Sequence, residues 1–166
     1  EPYHRRALGL IERTRHPLTV GLTHHCVGFH EYFRGRWETA LSHFQQAGAA
    51  YWDAGELRRW GASTAMGTWA LRSMGRLGES LDRGRELVSV GRDGGDPQVW
   101  GWGLLMVGSL LRMAGAPDDA MAHLQRAAEL LDAVPDHLRA GVARGEVGLC
   151  YLHQGDAQRG LAVLEQ

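Results

Sequence analysis

Glycine recurs in this chain at a forty-residue spacing, and this regularity constrains the fold more than any other feature. Four glycines form one column of the repeat: Gly35, Gly75, Gly115 and Gly155. Four more form a second column: Gly21, Gly61, Gly101 and Gly141. A period of this length indicates an array of supersecondary units that bury a continuous core between neighbours. We therefore expect both columns to have structural roles in a repeat architecture.

Each forty-residue unit has the pattern of two helices joined by a tight turn. In the third unit, residues 98–114 form an apolar stretch of helical length. Gly115 follows and can end that helix in the left-handed conformation. Pro117 suits the first position of the next helix, and Asp118 and Asp119 suit the positive end of its dipole. The first glycine column is therefore expected to lie between paired helices.

The spacing of small and apolar residues within the units resembles the tetratricopeptide repeat. The matching positions are Gly148, Tyr151 and Gly155 in the fourth unit, and Gly108, Leu111, Gly115, Ala120, Leu124 and Ala127 in the third. The second unit departs from the pattern, with Thr68 at a small position and Gly84 at a bulky one. The resemblance implies an all-α fold, an α-α superhelix (solenoid) of about four helical hairpins preceded by a lone helix.

The forty-residue unit is longer than the usual repeat of about 34 residues. In this respect the chain is similar to the variant found in large bacterial signalling regulators, such as signal-transduction ATPases, transcription activators, cyclases and kinases. Neither terminus shows a polar capping helix of the kind that closes an array. We therefore expect a fragment of a longer bacterial regulatory protein, with any catalytic or DNA-binding domain outside it.

The register of the repeat predicts a single domain over residues 1–166. Residues 1–16 match the second helix of a truncated repeat. Full repeats are predicted at 17–56, 57–96 and 97–136, and a further truncated repeat at 137–166.

The charge balance and the cysteine count exclude several classes of protein. Lys and Arg number 18 against 19 Asp and Glu, for a net charge of -1, so no excess of cation attracts nucleic acid or an acidic membrane. The longest apolar run, residues 99–111, is shorter than the roughly 20 residues that cross a bilayer. Cys26 and Cys150 make no disulfide framework, and no signal segment opens the chain. We expect a cytoplasmic protein without a direct nucleic-acid or membrane partner.

No metal, cofactor or catalytic motif is complete in the sequence. Cys26 and His30 lie four residues apart and could present sulfur and nitrogen on one helical face, but a zinc site needs further ligands. HEYFR, residues 30–34, lacks the second histidine of a zinc-protease motif, and GWGLLMVG, residues 101–108, lacks the spacing of a dinucleotide loop. Neither a P-loop nor a nucleophile elbow is present. The expectation is a domain that is not an enzyme and holds no metal or cofactor.

The residues expected to bind a partner follow from the resemblance. The family's inward-facing positions on the first helices, which line its concave groove, correspond to His25, Phe29, Tyr32, Trp69, Arg72, Trp102, Arg112, Leu149 and Leu152. This lining mixes apolar surface with two guanidinium groups one repeat apart, which suits a peptide or helix bearing apolar anchors and a carboxylate. The family's carboxylate clamp of Lys and Asn is absent, because the chain contains neither residue. The remaining tryptophans are expected to be packing residues: Trp37, Trp52, Trp60 and Trp100.

Three functional expectations remain open. The first is a protein-protein interaction scaffold that binds a peptide, a protein segment or another domain of its own parent in the groove. The second is a sensor domain that binds a small effector there and regulates an attached ATPase, cyclase or transcription activator; a closed pocket would favour it. The third is self-association through the exposed apolar ends of the array.

Overall fold

The computed structural model describes residues 2–14 and 16–165, and within them the side chains of residues 5–11 and 16–165. Over these residues the fold is all-α, without a strand, as the sequence predicts. The described helices are α1 (Pro2–Thr14), α2 (Pro17–Phe33), α3 (Trp37–Asp53), α4 (Leu57–Ser73), α5 (Leu77–Asp93), α6 (Pro97–Met113), α7 (Pro117–Ala133), α8 (His137–His153) and α9 (Ala157–Leu164).

The helices follow a period of half the sequence repeat. Each of α2 to α8 has 17 residues, and three residues connect each to the next. The prediction of two helices in each repeat unit is confirmed. Because the connections from α2 to α9 all have the same length, consecutive helices can be grouped into hairpins in either of two frames. The repeat boundaries and the single-domain assignment therefore stay predictions.

The connections after α2, α3, α4, α5, α6 and α8 end their helices by the same hydrogen bonds, whereas Pro135 after α7 has no N–H to donate. After α2, the Arg36 N–H donates to the Glu31 carbonyl at 3.0 Å and the Gly35 N–H to the Tyr32 carbonyl at 3.0 Å. Gly35 has φ 74°, the left-handed geometry in which a glycine costs least at a helix end. The other described glycines with positive φ are Gly55, Gly75, Gly95, Gly115 and Gly155. Gly55 and Gly95 lie in the connections between the predicted repeats, where the two glycine columns predict no turn glycine.

Proline and aspartate begin several of the helices. Pro117 is the first residue of α7, and Asp118 and Asp119 lie in its first turn, as predicted. Before α6, the Asp96 carboxylate accepts hydrogen bonds from the Gln98 and Val99 backbone N–H groups at 3.0 and 3.1 Å. Such a cap satisfies backbone donors that have no partner within the helix.

The chain divides after Ser80, within α5, into two compact units. In unit 1, glycines of α2 face aromatic rings of α3. A Cβ on Gly21 would lie 2.6 Å from the Tyr51 ring, and one on Gly28 would lie 2.8 Å from the Phe44 ring. Both rings are buried. The α2–α3 pair is therefore held by large rings that occupy the space left by missing side chains.

Unit 2 is built around α6, which is buried at every residue from 101 to 110. A Cβ on Gly101 or on Gly108 would lie 2.8 or 2.6 Å from a leucine of α7. On the other side, α5 approaches α6 backbone to backbone, because a Cβ on Gly103 would lie 2.5 Å from the Val88 nitrogen. The glycines within GWGLLMVG are therefore positions where neighbouring helices approach closely.

The tryptophans differ in how far they are buried. Trp60 is 7% exposed and its ring packs edge-on against Trp52 at 5.3 Å. Trp52 is nevertheless 55% exposed, and Trp37 is 38% exposed. Their assignment as packing residues therefore holds for only part of each ring. Trp37 begins α3 and Trp52 lies near its end.

Candidate interaction surfaces

The predicted residues of α2 form a row of half-buried rings in unit 1. The His25 Nδ1 lies 2.8 Å from the Ser63 Oγ, and the Tyr32 hydroxyl lies 3.3 Å from the Ser73 Oγ. Both serines belong to α4. These polar contacts fix α2 against α4 at two points, so the two rings are oriented by the fold before any partner arrives.

Phe29 lies between these two residues and joins an aromatic cluster. Its ring packs edge-on against Phe44 at 5.7 Å and against His25 at 4.9 Å. Phe33 stacks on Phe29 at 6.2 Å and is 79% exposed. An exposed phenylalanine on a rigid aromatic base can insert into a partner at little cost in conformational entropy.

Trp69 and Arg72 lie together on α4 and are half-buried. The Arg72 guanidinium carbon lies 5.3 Å from the centroid of the Trp69 ring. This distance is within the range of a cation–π interaction. The pair presents a cation beside an aromatic face, which suits a carboxylate with an apolar neighbour.

The predicted residues of α6 are engaged with α8 and its N-cap inside unit 2. Trp102 is 5% exposed, and its Nε1 donates a hydrogen bond to the carboxylate of Asp136, the N-cap of α8, at 2.8 Å. The Arg112 Nε donates to the Glu146 carboxylate at 2.5 Å, and both side chains are largely buried. The two partners of each pair are 34 residues apart in sequence. Together the two bonds set the register of α6 against α8.

Asp136 is the most heavily hydrogen-bonded carboxylate of this contact. Burial alone would raise the pKa of Asp136, but hydrogen bonds from Trp102 and Gln98 and the charge of Arg139 outweigh it, so the pKa lies below its usual value. Arg139 also lies over the Trp102 ring, 4.8 Å from its centroid. The carboxylate is therefore held in its charged form at the start of α8.

The α8 helix exposes a row of apolar side chains, which we call the α8 stripe: Leu138, Val142, Leu149 and Leu152. They are 78%, 38%, 37% and 38% exposed. Their spacings of four, seven and three residues place them on one side of the helix. Leu149 and Leu152 are among the predicted residues; Leu138 and Val142 were not identified from the sequence. An open apolar row of this length indicates an interaction surface.

The corresponding face of α6, one repeat earlier, is covered by another helix. One repeat earlier, the α8 stripe corresponds to Gln98, Trp102, Ser109 and Arg112 on α6. Three of those four side chains are bonded to α8 or to its N-cap residue: Gln98, Trp102 and Arg112. The face that α6 uses to hold another helix is thus exposed on α8, and its polar groups are replaced by apolar ones.

The two glycine columns differ in their surroundings. In the first, Gly35, Gly75, Gly115 and Gly155 have φ between 74° and 83° and no atoms close to an added Cβ. In the second, Gly21 and Gly101 pack against rings or leucines, and Gly61 is buried in α4. Gly141 is exposed on α8, and an added Cβ there would meet nothing within 4 Å.

Two cavities, one in each unit, are lined by residues that the sequence did not single out. Their volumes are about 320 and 330 Å³. Arg5 and His43 line the first, and Arg85 and His123 line the second. Comparison of positions two forty-residue repeats apart could have identified them, because it relates Arg5 to Arg85 and His43 to His123.

Metal ligands do not assemble around Cys26. The Cys26 thiol is exposed on α2, and among the described residues no group of three or more His, Cys, Asp or Glu side chains could hold a metal ion. Within the same residues, no helix is both long and apolar enough to pass through a bilayer.

Comparison with known proteins identifies the fold and goes no further. No family model matches the chain, and no curated protein matches it. A solved structure, the crystal structure of the apo form of RapI, aligns with a TM-score of 0.83 at 10% sequence identity. The alignment covers 96% of this chain and 58% of the RapI chain, so this chain spans little more than half of that protein. A likeness at this identity shows the fold alone: the chain has an all-α helical-repeat, or solenoid, fold.

Proposed function

We propose that this chain is a non-enzymatic scaffold that binds a protein segment along the first helices of the predicted repeats. The observation that carries the proposal is the α8 stripe, an open apolar row on a face that α6 covers with another helix. In unit 1, Phe29, Trp69 and Arg72 provide further aromatic and cationic contacts. These are the residue types that dominate binding energy at protein interfaces.

The remaining predicted residues have supporting roles in this proposal. His25 and Tyr32 orient the rings of α2 through Ser63 and Ser73. Trp102 and Arg112 hold α8 through Asp136 and Glu146. In unit 2, the partner that fits is an amphipathic helix or extended segment with apolar side chains spaced for the α8 stripe. In unit 1, a segment that pairs an apolar side chain with a carboxylate fits Trp69 and Arg72.

Peptide display on the intact chain tests the proposal. The selected peptides are labelled, and their affinity is measured by fluorescence anisotropy for the wild type and for Leu138→Gln/Leu149→Gln. Leu152 is left unchanged because its side chain packs over Gly160 of α9. We expect at least tenfold weaker binding to the double variant, because each lost apolar contact is worth about 1–2 kcal/mol. Leu161→Gln is the matched control, since Leu161 is 56% exposed on α9 and outside the stripe.

Two outcomes oppose the scaffold proposal. Equal affinity of the selected peptides for the wild type and the double variant would place the binding surface elsewhere. Weaker binding to Trp69→Ala/Arg72→Ala accompanied by loss of fold, measured by thermal melting, would assign those two residues to the core of unit 1.

A second function draws on the two cavities, which are open to solvent and not closed. A volume of about 330 Å³ falls at the lower end of the range for small-molecule sites, roughly 300–1,000 Å³. As the alternative to the scaffold, we propose an effector-sensing domain that regulates an attached ATPase, cyclase or transcription activator. Binding of a small ligand without any selected peptide would favour this function over the scaffold.

The wider setting belongs to the same proposal. We propose that the chain is a tetratricopeptide-repeat domain of a larger bacterial regulatory protein, located in the cytoplasm and acting in signal transduction without a cofactor. Its partner could also be another domain of the parent protein, or a second copy of the chain bound through the exposed apolar ends of the array or through the α8 stripe. Light scattering over a range of concentrations separates self-association from monomeric behaviour.

A further inference from the structure

We propose that the cavity in unit 2 binds a small organic anion with an apolar body, such as an aliphatic carboxylate. The cavity lies among α5, α6 and α7 and shares no residue with the α8 stripe. This proposal names the binding site that the effector-sensing function would use. It does not depend on the scaffold function.

The cavity has an apolar base and a cationic rim. Its apolar lining comes from α5 and α6: Leu81, Val88, Val107 and Leu111. Its polar lining comes from α5 and α7: Arg85, Ser89, Arg92 and His123. All its ionisable lining groups are therefore bases. An anion with a hydrocarbon body satisfies both halves of this lining, whereas a cation or a purely polar solute does not.

The two arginines are available to a ligand. Arg85 and Arg92 pair with exposed carboxylates, Asp82 at 3.8 Å and Asp93 at 3.0 Å. Exposed ion pairs of this kind contribute little. A guanidinium can exchange such a partner for a ligand carboxylate that it binds through two parallel hydrogen bonds.

His123 forms part of the wall of the cavity. Its Nδ1 lies 3.0 Å from the Asp119 carbonyl oxygen, which can only accept, so Nδ1 carries the proton. In the neutral ring Nε2 then only accepts, as a carboxylate does, so the two arginines and not this nitrogen are the groups that bind the ligand carboxylate. The bond to Asp119 also fixes the imidazole on the wall of the cavity.

The cavity in unit 1 is a repeat-related copy of the cavity in unit 2, with one informative difference. A step of two repeats relates Arg5, Leu8, Val27 and His43 to Arg85, Val88, Val107 and His123, all of which line the two cavities. The same step relates Glu31 to Leu111. A basic and apolar pocket thus recurs at the same place in the fold, but unit 1 has a carboxylate in its base.

Glu31 makes the unit 1 cavity the poorer anion site. Its side chain is 10% exposed and pairs with Arg36 at 3.2 Å. Arg36 also lines this cavity, but Glu31 already engages it. The carboxylate in the base therefore disfavours a second one, because the protein interior screens charge less than water does. We therefore expect the anion to prefer unit 2, where Leu111 takes the place of Glu31.

The experiment uses sodium octanoate as the probe and the intact chain labelled with ¹⁵N. Titration should shift the backbone amide signals of α5, α6 and α7 around the cavity, and isothermal calorimetry gives the dissociation constant. Arg85→Gln/Arg92→Gln should bind octanoate at least about tenfold more weakly. Arg83→Gln is the matched control, since Arg83 lies on the same helix, pairs with Glu86 at 2.7 Å and does not line the cavity.

Leu111→Glu provides an independent test, because it rebuilds the unit 1 base in unit 2. We expect it to weaken octanoate binding as strongly as the arginine double variant while thermal melting shows a folded chain. If Leu111→Glu fails to fold, Leu111→Gln replaces it, because it introduces a polar side chain of similar size without a charge. We expect Leu111→Gln to bind octanoate more tightly than the arginine double variant does.

Three results would overturn the proposal. The first is no amide shift in unit 2 at octanoate concentrations up to about 10 mM. The second is equal affinity for octanamide, the neutral analogue, which would show that the arginines do not recognise charge. The third is an equal loss of affinity in Arg83→Gln, which would show a non-specific effect of net charge.

Discussion

At the scale of single residues, Gly115 shows how the turns limit substitution. It connects α6 to α7 with φ 82°, and no atom lies within 4 Å of an added Cβ. The cost of a side chain there is therefore backbone strain without a steric clash. We predict that Gly115→Val destabilises the chain by about 1–3 kcal/mol, measured by urea denaturation. Gly115→Asn should cost clearly less, because asparagine tolerates the left-handed region. Equal stability of Gly115→Val and wild type would contradict the prediction.

His24 and His43 form the titratable contact of the α2–α3 pair. Their Nδ1 atoms are 2.9 Å apart. Burial, and secondarily the neighbouring His43, lower the pKa of His24 from its usual 6.5. As the pH falls, His24 is therefore protonated in the unfolded chain before it is protonated in the folded chain. The stability that depends on neutral His24 is fully present above pH 6.5. It is lost as the pH falls through the lower pKa of the folded state.

We predict that the melting temperature of the wild type falls between about pH 7 and about pH 5. His24→Gln should show a smaller fall over the same range, because it removes the group whose pKa differs between the two states. Calorimetry at matched ionic strength measures both. A fall of the same size in His24→Gln would assign the pH dependence to other groups.

At the scale of the helices, a glycine inside a helix can stabilise or destabilise the fold, depending on whether a neighbouring helix packs against it. In α6, a Cβ on Gly103 would lie 2.5 Å from the Val88 nitrogen of α5, and a backbone atom cannot move aside as a side chain can. In α8, a Cβ on Gly141 would meet nothing within 4 Å. One glycine permits a close approach of two helices, and the other only weakens its own helix.

We predict opposite effects of alanine at these two positions. Gly103→Ala should destabilise the chain by about 1–3 kcal/mol, because α5 and α6 must separate. Gly141→Ala should stabilise it by about 0.5–1 kcal/mol through helix propensity. Denaturant unfolding of both variants against wild type measures the effects. A destabilised Gly141→Ala would show that this face of α8 is covered in solution.

The helices were predictable because their signals are local, whereas the contacts between helices were not. Gly115 and Pro117 mark an end and a start from neighbouring residues alone. The bonds from Trp102 to Asp136 and from Arg112 to Glu146 depend on how α6 and α8 are turned about their axes. The repeat period establishes which helices correspond, but it does not determine that rotation. This is why Trp102 and Arg112, although predicted to bind a partner, are bonded to the N-cap of α8 and to α8 itself.

At the scale of the whole chain, burial is distributed unevenly among the helices. Over residues 101–110 of α6 every residue is buried, and such a helix, apolar on all sides, is typical of the centre of a fold. In α9, the shortest described helix, Leu161 and Leu164 are 56% and 48% exposed. Amide hydrogen exchange requires local opening, and the free energy of opening rises with the apolar surface that must be exposed.

We therefore predict that the slowest-exchanging amides belong to α6 between residues 104 and 110, and that those of α9 exchange fastest among the helices from α2 onward. Exchange followed by NMR on the intact chain measures this order. Gly103→Ala provides the control, because separating α5 from α6 should speed exchange in α6 and leave α9 unchanged. Protection that is uniform from α2 to α9 would contradict the expected order, because it would mean that these helices open in a single step in spite of their unequal burial.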